Sequence, residues 1–165
     1  TASPQRLRAV EGLGEAGTAA LKLAQAAALR LLRGPLTEGP VLRSRQGLMD
    51  YLRAALRHLR VEEFHVLFLD NQTRLIADEV MGLGTVDHAT AYPREVARRA
   101  LELHASTVVL VHNHPSGAAV ASRDDIAMTR DIARALAPLG IELHDHLIVA
   151  GDRCVSMADD GLLLK

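Results

Sequence analysis

The segment Thr107 to Val111 constrains this chain most. It is a β-branched, apolar run with no polar face to offer water, so it reads as a central strand, covered on both sides by other elements. Helix signals stand on either side of it. Pro93 heads a run from Arg94 to His104, and a second helix extends from Arg123 to about Ala137, where Pro138 and Gly140 end it. Phe64 to Leu69 reads as a buried strand, Asp70-Asn71-Gln72 as a hairpin turn, and Thr73 to Val80 as the returning strand. Two further strands, Ile141 to Ala150 and Arg153 to Met157, join at Gly151-Asp152. The order α-β-β-α-β-α-β-β gives an α/β fold: a mixed, largely antiparallel sheet flanked by helices, with a short helical N-terminal segment.

Upstream, Thr18 to Arg33 forms a helix that ends at Gly34-Pro35, and Ser44 caps a second one carrying Leu48, Leu52, Ala55, Leu56 and Leu59 on one face. This divides the chain into a helical segment at 1–34, a Pro/Gly linker at 35–43 and a main domain at 44–165. Residues 1–60 hold ten Arg/Lys against four Asp/Glu, and the remainder nine against sixteen, so the net charge of −1 hides a basic front and an acidic back. With 165 residues and 48% hydrophobic content the chain buries a real core. Aromatic residues make up 2%, too few for a base-stacking surface that would hold RNA or single strands. Cys154 is the one cysteine, so no internal disulfide forms. No window is apolar enough to span a membrane and no targeting segment is read, so the expectation is a cytoplasmic protein without a membrane partner.

Chemistry concentrates in Val111-His112-Asn113-His114-Pro115-Ser116-Gly117, followed by Ser122 and Asp125. Side chains at i and i+2 of a strand share a face, so His112 and His114 project together while Asn113 points away. Pro115 stops the strand, the loop returns the chain, and Asp125 in the first turn of the next helix adds a carboxylate. Two histidines, one aspartate and an open fourth position make a catalytic zinc set, one Zn²⁺ per chain. Ser122-Arg123-Asp124-Asp125 also spells a capping box, which alone would account for Ser122 and Asp125 at a helix start. A hydrolytic site further needs a general base, and Glu62, Glu63 and Glu79, near the ends of the first hairpin, are the candidates. His144 and His146 are expected to share a strand face. His58, His65, His88 and His104 read as structural or surface residues, and Cys154 as a buried strand residue.

The string Glu62…His112-Asn113-His114-Pro115…Ser122-Arg123-Asp124-Asp125 resembles the JAMM (MPN+) metalloprotease motif in its RadC version. Phe68-Leu69-Asp70, Gly84-Thr85, Tyr92-Pro93-Arg94-Glu95-Val96, Asp145-His146-Leu147-Ile148-Val149 and Val155-Ser156 are similar to RadC proteins too, so the likeness covers about residues 44–165. It implies the JAMM layout, shared with cytidine deaminases, and a Zn²⁺ held by His112, His114 and Asp125. It also implies Glu62 as the base, placed two residues before Phe64, with Ser122 bonding the oxyanion and Asp145 and His146 in supporting contacts around the ligands. The Pro115–Ser122 loop is shorter than in the deubiquitinase branch, which argues against ubiquitin-like specificity.

The function expected is a zinc-dependent hydrolase, a metallopeptidase acting on a protein or peptide at an amide or isopeptide bond. The competing expectation is a DNA-repair accessory protein with a structural metal. Gly12-Leu13-Gly14 before a helix resembles part of the helix-hairpin-helix DNA element of RadC proteins, though one hairpin alone is a weak binder. Two other readings fail. His112-Asn113-His114 spells HNH, but HNH nucleases spread those residues over a hairpin and a helix. Zinc deaminases need H-x-E and P-C-x-x-C, and this chain has one cysteine.

Overall fold

The computed structural model describes residues 2–43, 45–84 and 91–163. In chain order the elements are α1 (Pro4–Arg8), α2 (Gly14–Glu38), a 3-10 turn at Val41–Arg43, α3 (Arg45–Leu56), β1 (Glu63–Leu69) and β2 (Leu75–Leu83). They continue with α4 (Pro93–Glu102), β3 (Thr107–Asn113), α5 (Arg123–Leu136), a 3-10 turn at Ala137–Leu139, β4 (Glu142–Ala150) and β5 (Arg153–Ser156). The strands make one sheet ordered β2-β1-β3-β4-β5. Every pair is antiparallel except β3 and β4, which α5 connects as a parallel crossover. The mixed α/β fold expected from the sequence is the one observed.

The β3 strand lies in the middle of the sheet with all seven residues buried. Its alternate residues feed two layers. Val108 and Leu110 join Phe64, Val66 and Phe68 of β1 under α4 and α5, where Val96, Ala100, Ile132 and Leu136 close the layer. Val109 and Val111 face the other way, with Leu67, Leu69, Leu147 and Val149, against Leu48, Met49, Leu52 and Leu56 of α3. Each fully buried Leu or Phe in these layers contributes about 1.5–3 kcal/mol of transfer free energy.

At the N-terminus α2 does not stop at Gly34-Pro35. It continues to Glu38 with Pro35 inside. The Thr37 hydroxyl donates to the Gly34 carbonyl at 2.8 Å, and Leu36, 1% exposed, packs with Val41 into the α3 layer. Core packing thus overrides the break, and residues 35–43 are not a detached linker. The sequence reading also missed α1, which Ser3 caps by accepting from the Arg6 N–H. Ser44, Thr85 and His88 lie outside the described residues. No helix among the described residues is long and apolar enough to cross a membrane.

Candidate metal centre

The three residues that converge come from two adjoining element ends: the C-terminal end of β3 and the N-terminal turn of α5. His112 pairs with Phe64 across β1 and stacks on its ring at 6.3 Å between centroids. The His114 backbone N–H donates to Val149 O at 2.8 Å, which holds the chain on the sheet one residue beyond β3, and the two imidazole centroids lie 4.7 Å apart. Asn113, between them, turns to the opposite face, as alternation requires. Its side chain accepts from Glu63 N at 2.9 Å and donates to Val61 O at 3.1 Å, fastening the start of β1. The chain then reverses through Gly117, whose φ of +79° is a left-handed conformation that glycine adopts freely.

Ser122 caps α5 and Asp125 completes a capping box. Ser122 N and Oγ both donate to Asp125 Oδ2 at 2.7 Å, while Asp125 N donates back to Ser122 Oγ at 3.1 Å. The capping and ligand readings are therefore compatible, because the carboxylate divides its oxygens. Oδ2 serves the cap, and Oδ1 stands 3.3 Å from His112 Nε2. His114 Nε2 is 2.9 Å from His112 Nε2 and 3.7 Å from Asp125 Oδ2. One ligand atom from each of the three residues lies within 4.8 Å of the other two.

The donor set suits a divalent cation. His114 Nδ1 lies 2.6 Å from Ala118 O, and a carbonyl only accepts, so that nitrogen carries the proton and Nε2 turns its lone pair inward. Two imidazoles and a carboxylate at a strand end are an N/O set that matches zinc chemistry. Burial lowers the His112 pKa to about 4, against the pull of Asp125 and with help from His114, so the ring is neutral and able to donate an electron pair at neutral pH. His112 and Asp125 are buried, whereas His114 is partly exposed, so access comes from the His114 side.

Existing partners and strand face distinguish the three candidate bases. Glu79 is held by Arg99 of α4 at 2.6 and 2.8 Å, and that guanidinium keeps its carboxyl below the usual range. Glu63 turns to the face opposite His112 and bonds His65 Nε2 at 3.2 Å. Glu62 precedes Phe64 by two residues and lies just outside β1. Its carbonyl accepts from Gly84 N at 2.8 Å.

The two supporting residues divide as well. His146 Nε2 lies 2.8 Å from His112 Nδ1. Asp145 touches none of the three converging residues. It accepts from His146 N, Ala158 N and the Ser156 hydroxyl, and so ties β4 to the turn after β5. His144 and His146 do not share a face. Val108 pairs with Leu143 and Val109 with Asp145, so His144 is the extra residue of a bulge and lies exposed. Among the other histidines, His58 and His104 are at the surface and His65 is buried in a carboxylate cluster on the α3 side. Cys154 is half-buried in β5. Thr129, buried behind His146 with its hydroxyl 2.6 Å from His146 Nδ1, escaped sequence reading. The signal available was its place one helical turn after Asp125.

The family description RadC-like JAB domain matches residues 42–162. A UPF0758 protein of Rhodobacter capsulatus is 52% identical over 162 residues, covering 98% of this chain and 76% of that protein. A UPF0758 protein of Ruegeria pomeroyi is 46% identical over 163 residues, covering 99% of this chain and 73% of that protein. Neither name states an activity.

Proposed function

This chain belongs to the RadC-like JAB domain family, and from that membership and its site we propose that it is a zinc-dependent hydrolase, a JAMM-type metallopeptidase that cuts an amide or isopeptide bond. The observation that carries the reading is the convergence of His112, His114 and Asp125 at the end of β3. Among the described residues the group has three members, one fewer than a closed structural zinc site uses. That favours catalysis over the accessory role with a structural metal.

Zinc held by these residues would supply Lewis acidity toward a carbonyl oxygen and lower the pKa of water. In this reading Glu62, which strand alternation carried one residue past β1 would turn to the His112 side, is the base that takes the proton of the attacking water and passes it to the departing amine. Ser122 gives its hydroxyl proton to Asp125 Oδ2. Because Ser122 N donates to that same oxygen, the carboxylate keeps a partner when the hydroxyl turns toward an oxyanion. In this reading the substrate is a protein or peptide and the protein is cytoplasmic. Any DNA contact would fall to residues 1–34, where Gly12 and Gly14, both left-handed, turn the chain into α2, and one hairpin without a partner is a weak binder.

The test is cleavage of peptide and isopeptide libraries by zinc-supplied protein beside Glu62→Gln. We expect the variant to retain zinc and lose turnover by roughly 10²–10⁴-fold. Equal turnover in both proteins would remove Glu62 from the reaction, and zinc-loaded parent that cuts neither library would overturn the hydrolase reading.

A further inference from the structure

We propose that Thr129 and His146 are positioning residues that fix which nitrogen of His112 is free to hold the metal. The inference rests on the zinc reading above and adds to it a hydrogen-bond relay whose polarity can be worked out atom by atom.

The relay starts in α5. Thr129 is 2% exposed, and its hydroxyl contacts the Asp125 carbonyl oxygen at 2.5 Å and His146 Nδ1 at 2.6 Å. A hydroxyl has one proton to give, and a carbonyl can only accept. The proton therefore goes to Asp125 O, and the hydroxyl oxygen accepts from His146 Nδ1–H. His146 is fully buried and meets two other rings at steep angles, edge-to-face with Phe64 at 5.6 Å and tilted against His112 at 4.8 Å between centroids. A neutral imidazole carries one proton, already placed on Nδ1, so His146 Nε2 is an acceptor. Its neighbour at 2.8 Å is His112 Nδ1, which must then be the protonated nitrogen of that ring.

The consequence falls on the other side of His112. With Nδ1 protonated, Nε2 holds a lone pair, and Nε2 is the atom 2.9 Å from His114 Nε2 and 3.3 Å from Asp125 Oδ1. Ala118 has already fixed the same tautomer in His114. Run in reverse, the relay would put an N–H on His112 Nε2, pointing at His114, where a cation has to sit. Thr129 decides between the two polarities because its one proton is committed to Asp125 O. The helix turn that supplies the carboxylate thus also sets the ring opposite it, and such partners behind a metal-binding histidine are worth about 10–100-fold in metal affinity.

The experiment uses the full chain labelled with ¹⁵N in its histidine rings, as parent, Thr129→Val and Thr129→Ser. Long-range ¹H–¹⁵N spectra read the His112 tautomer with and without zinc. Competition against a chromogenic chelator reads zinc affinity, and circular dichroism reads the fold of the metal-free proteins. We expect Nδ1–H on His112 in the parent, zinc binding weakened about 10–100-fold in Thr129→Val, and recovery of both in Thr129→Ser, which keeps the hydroxyl. An Nε2–H on His112 in the metal-free parent overturns the relay. So does a folded Thr129→Val that binds zinc as tightly as the parent, and that result leaves the zinc site standing. A parent that binds no zinc sinks the hydrolase reading instead, while its metal-free spectrum still decides the relay. Should Thr129→Val not fold, the parent spectrum and the Thr129→Ser titration carry the decision.

Discussion

Replacing His65 by glutamine should remove a pH-dependent part of this protein's stability. His65 is 9% exposed, and both ring nitrogens face carboxylates: Nδ1 lies 2.8 Å from Asp78 Oδ1 and Nε2 3.2 Å from Glu63 Oε2. Carboxylates accept, so both nitrogens donate and the ring is an imidazolium. The Tyr51 hydroxyl donates to the second Asp78 oxygen at 2.6 Å. Burial works against the charged ring, but the hydrogen bond and charge of Asp78, joined by those of Glu63, outweigh it and raise the His65 pKa. A raised histidine pKa means that the fold holds the proton more tightly than the unfolded chain does. The contribution is therefore complete below about pH 6.5 and is lost as pH climbs through the folded value.

His112 and His146 act in the opposite sense. Burial lowers both, His112 to about 4, so the metal-free fold loses stability as pH falls from about 6.5 toward that value. Stability should peak near the ordinary histidine pKa and decline on both sides. Cys154, pushed up to about 11 by burial, leaves the alkaline side to His65 until well above neutrality. Breaking one partner of a buried ion pair costs about 3–5 kcal/mol, and because Glu63 is partly in water we expect a smaller cost, about 2–3 kcal/mol, for His65→Gln at about pH 6. Urea unfolding of metal-free parent and variant at about pH 6 and about pH 9 is the assay. The stability gap should narrow at the higher pH. A gap of the same size at both would refute the imidazolium assignment.

Phe64→Ala empties the site under the His112 and His146 rings and should cost about 3–5 kcal/mol by denaturant unfolding, with weaker zinc binding by chelator competition. Asp145→Ala leaves the His146 N–H, the Ala158 N–H and the Ser156 hydroxyl without their acceptor. It should destabilise by about 1–3 kcal/mol or more in the same assay while the folded fraction still binds zinc, because the hydrogen bonds of Asp145 run to His146 N, Ser156 and Ala158 rather than to the three converging side chains. Glu63→Gln should keep turnover near the parent's on any peptide that Glu62→Gln fails to cut, since Glu63 turns to the face opposite His112 and bonds His65.

The sheet was legible because Val66 to Leu69 and Val108 to Val111 are unbroken apolar runs, and β3 above all could only be central. The convergence of His112, His114 and Asp125 was legible too, since strand alternation and one helical turn fix where those side chains go. That Glu63 turns away from His112 needed the register, in which Phe64 stands opposite His112. The bulge at His144 was not legible: one extra residue reverses the alternation, and nothing in Leu143-His144-Asp145 marks it. Nor was the passage of α2 through Pro35, which depends on Leu36 finding a place beside Val41 and Leu52. Thr129 looks like any threonine in a helix until the fold sets His146 behind it.

The central claim is that His112, His114 and Asp125 hold a metal, and zinc content measured on purified protein beside Asp125→Ala tests it most directly. Losing the capping carboxylate should by itself lower metal-free stability by about 0.5–2 kcal/mol, so the fold of the variant is checked by circular dichroism in the same samples. The account predicts about one zinc per chain in the parent and none in the folded variant. Zinc retained equally by both, or taken up by neither when it is supplied, would contradict it.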